Sequence, residues 1–153
     1  MTCVRAAEFS AVCRVGRLVE ARMRWVNDAA DVQGFLMQMK NAFAIAGQSV
    51  ICADWRSALV LPPQASDALL ELLRQGNGHF ERSAVLLAPE DAMFRLQVER
   101  LLRGAENPGR RAFRAAPALL TWLGEVLTPA ERRRASDFIL QEGWSQGPAS
   151  ERV

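Results

Sequence analysis

His79 is the single histidine in this sequence. Any Ser-His-Asp or Cys-His mechanism would have to run through it. It lies in Gly76-Asn77-Gly78-His79, a stretch that leaves a helical pattern, and it reads as an exposed loop residue. The three cysteines, Cys3, Cys13 and Cys52, are scattered. With one histidine they cannot complete a four-ligand zinc site without carboxylates. An odd number with no close pair predicts neither a disulfide framework nor a zinc knuckle. Cys13 and Cys52 fall in apolar, strand-like runs, where a thiol behaves as a small hydrophobe. Free thiols of this kind fit a reducing compartment, so a cytoplasmic chain is expected.

Asp54 is the carboxylate best placed for chemistry. It ends a short apolar run, and ligands of open α/β sheets gather beyond the carboxyl ends of the strands. The structural alternative is that Asp54 pairs with Arg56 or caps the following loop. Glu90-Asp91 reads as a helix start, where acidic side chains favour the helix dipole. Gly76-Asn77-Gly78 follows a helix, the wrong context for a phosphate-binding loop. Two basic clusters remain, Arg110-Arg111-Ala112-Phe113-Arg114 and Arg132-Arg133-Arg134. Phosphate binding is one use for them. A solvated face with arginine stems lying over apolar surface is the other, and the chain's small net charge favours it. Trp122 is at core spacing. Trp25 and Trp55 end strand-like runs, and Trp144 lies in the polar C-terminal stretch.

The elements that must position these residues are legible from periodicity. Phe9, Ala11, Cys13 and Val15 alternate with Ser10, Val12 and Arg14, and after Gly16 a second alternating run carries Val19, Ala21, Met23 and Trp25. Two such runs around a glycine predict a hairpin. Asn27 or Asp28 can cap a helix with the stripe Val32, Phe35, Leu36, Met39 and Phe43, which Gly47 stops. Val50-Ile51-Cys52-Ala53 and Ser83–Ala88 suit strands buried on both faces. Between them Ser66 should cap a helix with Leu69, Leu70 and Leu73 inside. Pro89-Glu90-Asp91 starts a third helix, lined by Phe94, Val98, Leu101 and Leu102. Arg111–Phe113 is a short last strand, and Pro117 opens a fourth helix. Thr128-Pro129-Ala130-Glu131 is a capping box with proline at the first helical position. From Gly143 the chain is polar and expected to fray.

Strands alternating with helices predict a mostly parallel sheet of four or five strands with an N-terminal antiparallel hairpin. Residues 1–142 form one domain on this reading, and 143–153 a tail. The 153 residues can bury roughly two-thirds of their unfolded surface and need no metal or disulfide to do so. The net charge of +2 sets the chain apart from typical nucleic-acid binders. Apolar runs are far shorter than the ~20 residues of a membrane span, and no secretory leader is visible.

The element order over roughly residues 8–127, and above all Arg111-Ala112-Phe113 followed by Ala118-Leu119-Leu120-Thr121-Trp122-Leu123, resembles the STAS superfamily. The closer resemblance is to its SpoIIAA-like, anti-sigma-factor-antagonist-like branch, whose closing strand and final helix end in this way. The resemblance implies a non-enzymatic bacterial regulatory module that binds a protein, with no cofactor or metal, and a homodimer is compatible with it. STAS antagonists carry an Asp-Ser-Ser/Thr-Gly type motif where a helix begins. Here Asp54 is followed by Trp55-Arg56-Ser57-Ala58-Leu59, and the nearest hydroxyls are Ser57 and Ser66.

The reading is therefore a protein-interaction module whose face comprises Trp55, Arg56, Ser57, Leu59 and Ser66. A carrier of an apolar small ligand or lipid, held between helix and sheet, is the alternative. An enzyme centred on Asp54 ranks third. If Val50–Ala53 and Ser83–Ala88 are core strands, Ile51→Asp or Leu86→Asp places an unpaired charge in the interior at several kcal/mol. Both variants are expected to lose soluble expression. Normal yields of both would remove these segments from the core.

Overall fold

The computed structural model describes residues 2–7, 10–24, 28–43 and 48–141. The elements run β1 (Thr2–Ala7), β2 (Ser10–Val15), β3 (Leu18–Met23), α1 (Ala29–Phe43), β4 (Ser49–Asp54), α2 (Pro63–Gln75), β5 (Phe80–Leu86), α3 (Ala92–Ala105), β6 (Arg110–Phe113), α4 (Ala116–Gly124) and α5 (Pro129–Leu140). The strands form one six-stranded sheet in sequence order. β1, β2 and β3 pair antiparallel, and β3 to β6 pair parallel. The expected hairpin is β2–β3, and the two core segments are β4 and β5, each flanked by a strand on both sides. The expectation of four or five strands missed β1, whose Thr2–Ala7 lacks strict alternation.

The β2–β3 turn is the two residues Gly16-Arg17. Gly16 takes φ +61°, which a side chain disfavours, and a Cβ there would lie 2.8 Å from the Glu131 carboxylate. This turn sets Val12 opposite Ala21 and Arg14 opposite Val19. Val12 and Arg14 are therefore the buried side chains of β2, while Cys13 and Val15 are half-buried. The alternation in sequence separates the same two sets, and it is the fold that shows which of them is the more deeply covered. Cys13 is disulfide-bonded, and the β1–β2 register brings Cys3 across from it. The expectation of free thiols throughout is corrected for Cys13, and with it the argument for a reducing compartment. Two positions ten apart looked unpaired in sequence, yet β1 folds back on β2. Cys52 is free and buried.

The two faces of the sheet are covered differently. On one, Val19, Ala21, Ile51, Ala53 and Val85 meet Val32, Phe35 and Met39 of α1, Leu69, Leu72 and Leu73 of α2, and Phe94, Val98 and Leu101 of α3. On the other, Leu18, Val50, Cys52, Ala84 and Leu86 meet Leu119 and Leu123 of α4 and Ala135, Phe138 and Ile139 of α5. Both central strands are thus buried on both sides, which explains their continuous apolar runs.

Helix starts follow local chemistry. Asp28 accepts from the Asp31 amide at 3.0 Å, and Asp91 from the Phe94 amide at 3.0 Å. Ser66 is not the cap of α2. That helix begins at Pro63 with Pro62 before it, because proline's fixed φ suits the first helical turn and starts it four residues early. At α5 both bonds of the capping box form: Glu131 N to Thr128 Oγ1 at 3.2 Å, and Thr128 N to Glu131 Oε1 at 2.9 Å. The expected cap Asn27, the stop at Gly47, and residues Trp25 and Trp144 lie outside the described residues, as does the 143–153 tail. Thr128→Ala removes one half of the box and is expected to cost ~0.5–2 kcal/mol of unfolding free energy in denaturant titrations. An unchanged midpoint would show that α5 draws nothing from this cap.

Candidate functional site

Asp54 ends β4 and is buried at 5% exposure. Its Oδ1 accepts from the Arg56 backbone amide at 3.1 Å and from Arg56 Nε at 2.9 Å. Its Oδ2 accepts from a terminal nitrogen of Arg56 at 3.0 Å and from Arg22 Nε at 3.2 Å. The two guanidinium groups reach onward to the end of α5. Arg22 donates to the Phe138 carbonyl at 2.9 Å and Arg56 to the Ile139 carbonyl at 2.7 Å. Arg22 also stacks on the Phe138 ring at 4.2 Å. Cations at a helix C-terminus satisfy its orphan carbonyls and suit its dipole. Asp54 is therefore an anchor, with all its bonds directed to the fold. Burial pulls its carboxyl up, but the Arg56 and Arg22 bonds outweigh that and hold it below the usual carboxylate range.

A second buried carboxylate supports the same helix. Glu20, at 2% exposure, accepts from Arg134 Nε at 2.7 Å and from a terminal nitrogen at 2.9 Å. Burial pushes this carboxyl above its usual range, and the Arg134 bonds recover only part of the shift. Arg134 is thus consumed by Glu20, while Arg132 donates to the Leu127 carbonyl at 2.9 Å. Arg133 is exposed. In the other basic cluster Arg111 lies 5.1 Å from the Trp122 ring, which also has Phe113 at 5.7 Å and Arg82 at 4.8 Å. Burial also raises the Cys52 thiol, which stays protonated and unreactive.

The residues expected to form a protein-binding face separate in the structure. Trp55 is buried at 4% exposure, its ring 6.4 Å from that of Phe94. Arg56 is engaged with Asp54 and α5. Ser57 is exposed, Ser66 is half-buried in the first turn of α2, and Leu59 is 63% exposed. Leu59 has apolar neighbours that the sequence reading did not group with it. Gln97 of α3 accepts from the Leu61 amide at 2.7 Å and donates to the Leu61 carbonyl at 2.9 Å. This ties the 59–61 loop to the helix that bears exposed Met93 and Leu96.

Sequence reasoning allowed for an apolar ligand between helix and sheet but did not locate the cavity that the structure contains. It lies between the sheet and the C-terminal halves of α1 and α2, with a volume of about 240 Å³. Phe35, Leu36 and Met39 of α1, Leu72 and Leu73 of α2, Ile51, Ala53 and Val85 of the sheet, and Trp55 supply its apolar walls. Trp55 Nε1 is buried with no hydrogen-bond partner. Its polar lining is Lys40, Gln75, His79, Ser83, Arg110 and Arg111, and no carboxylate is among the described lining residues. In sequence the wall residues of α1, β4 and β5 read as ordinary core and Trp55 as part of a binding face, because periodicity shows which face is apolar but not whether the faces close.

A prediction follows from the Asp54 anchor. A carboxyl held low in the fold stabilises it above its unfolded pKa of ~3.9, and the contribution is lost as pH falls through the lower folded value. Asp54→Asn is expected to cost roughly 3 kcal/mol at neutral pH, since it leaves two guanidinium groups without their anion. In pH-dependent urea melts the deficit should shrink below pH ~4 as wild-type Asp54 protonates. A deficit that stays constant to the most acid pH reached would contradict the assigned role.

No family model matches this chain, and no curated protein matches it. A solved structure does. It is an uncharacterized protein of the DUF3478 family with a SpoIIAA-like fold, from Shewanella loihica PV-4. The two superpose with a TM-score of 0.54 at 18% sequence identity, over 74% of this chain and 91% of that one. Among the described residues no helix is long and apolar enough to cross a membrane. A mixed sheet opened by an antiparallel hairpin, three helices on one face and two on the other agree with that superposition: the chain is an α/β domain with a SpoIIAA-like fold.

Proposed function

We propose that this chain is a non-enzymatic binding domain that holds an apolar small molecule in the cavity beneath α1 and α2. The cavity carries the reading. Its volume of about 240 Å³ falls just below the roughly 300–1,000 Å³ of pockets for drug-sized ligands. A well-packed core does not leave such a space, because its lining forfeits dispersion contacts that no water replaces in an apolar site. The unpartnered Nε1 of Trp55, a lining residue, adds a donor to the few polar groups there, in keeping with sites that are mostly apolar. Asp54, the one carboxylate placed for chemistry, is saturated by Arg22 and Arg56, which supports a role without catalysis.

A regulatory protein-interaction module is the second reading. Leu59, Val60, Met93 and Leu96 favour it, at 63%, 49%, 70% and 56% exposure. They sit on a loop and a helix joined through Gln97. Exposed apolar groups clustered in this way suit a partner's surface.

The neutral fluorophore N-phenyl-1-naphthylamine distinguishes the two readings. It should bind the wild-type protein with enhanced emission, and Val85→Phe and Ala53→Leu, which fill the cavity, should weaken it at least tenfold with unchanged circular dichroism. Leu59→Asp with Met93→Asp should bind it as wild type does. Equal binding by wild type and both filled variants would overturn the cavity reading, and loss in the Leu59/Met93 variant would turn attention to that surface.

A further inference from the structure

The cavity's polar end is more specific than an apolar ligand requires. Arg110, the first residue of β6, reaches it half-buried. Among the described residues its guanidinium meets only neutral acceptors. Nε donates to Asn77 Oδ1 at 3.1 Å, one terminal nitrogen to the Leu73 carbonyl at 2.8 Å, and the other to Ser83 Oγ at 3.4 Å. It also stacks 4.3 Å from the Phe80 ring. No carboxylate pairs with it among the described residues. A guanidinium has five N–H donors, so these three bonds leave donors to spare. Burial lowers its pKa to about 10, and it therefore keeps its charge at neutral pH.

A partly buried cation without an anion is costly. The other charge-bearing groups near it have the same sign or none: Lys40 at the end of α1 and His79 before β5 line the same cavity, together with Gln75 and Ser83. The Leu73 bond gives Arg110 a part in closing the end of α2, which explains its position but leaves its charge uncompensated. Phe35, Leu36, Ile51, Ala53 and Val85 give the same cavity an apolar lining.

We infer that the ligand is an anionic amphiphile, an aliphatic acid whose carboxylate meets Arg110 beside Lys40 and His79 while its chain lies along the apolar wall towards Trp55. This rests on the cavity reading above and adds the charge of the ligand to it. Guanidinium and carboxylate make the paired, charge-assisted bonds that Arg favours over Lys. The chemistry separates this ligand class from neutral alcohols or hydrocarbons of the same length.

Isothermal titration with octanoate and with 1-octanol tests the inference on the full chain. Wild type should bind octanoate at least tenfold tighter than octanol, a difference of about 1.4 kcal/mol. Arg110→Gln should lose that preference while still binding octanol. Should Arg110→Gln fail to fold, Lys40→Glu at the exposed rim provides the second variant, and it should weaken octanoate several-fold and leave octanol unchanged. Equal affinity for the two compounds in wild type would overturn the anionic head group and leave the apolar cavity standing, as would a preference that survives both substitutions. Failure of the wild type to bind either compound would overturn the cavity reading as well.

Discussion

The carboxylate of Asp54, held between Arg22 and Arg56 beneath the last turn of α5, decides how the two halves of this fold are built. Both arginines use the acid as a fixed base and extend their remaining donors to the Phe138, Ile139 and Gln141 carbonyls. Glu20 with Arg134 repeats the arrangement one turn earlier. Glu131 does so at the start of the helix, where it accepts from the Arg17 amide at 2.8 Å. Polar bonds of this kind have narrow geometry, so α5 can lie on the sheet in one register only. Breaking one partner leaves the other charge buried, and that penalty is what makes the register hard to escape.

The opposite face has no such pins in its middle. The three helices α1, α2 and α3 cover it through apolar side chains. Apolar contact is non-directional and tolerates an incomplete fit. The cavity has formed there, beneath α1 and α2, and not under α5. The polar groups on its border, Lys40, His79 and Arg110, belong to three separate segments of the chain. On this account the pinned face gives the domain its rigidity, and the apolar face gives it room for a ligand.

Much of this architecture was readable before any coordinates. The continuous runs at β4 and β5, the helix start at Pro89-Glu90-Asp91, the Thr128–Glu131 box and the hairpin glycine are local signals, and each specifies its element through chemistry within a few residues. What failed depends on distant segments. Cys13 looked like a free thiol because β1 had not been recognised. The sequence also did not show that Trp55 packs beside Phe94 of α3 or that Arg56 reaches the end of α5. Arg110 belonged to a cluster read as a solvated face, and its separate fate reflects strand alternation: Arg110 turns towards α2, and Arg111 towards Trp122. A cavity is a missing contact between segments far apart in sequence, and no local pattern encodes it.

A ligand held inside the α1–α2 face of the sheet is tested most directly by intermolecular nuclear Overhauser effects between octanoate and the methyl groups of isotope-labelled protein. Contacts are expected from the alkyl chain to the methyls of Leu36, Ile51, Leu73 and Val85. Contacts confined to Leu59, Val60, Met93 and Leu96 on the surface would contradict it.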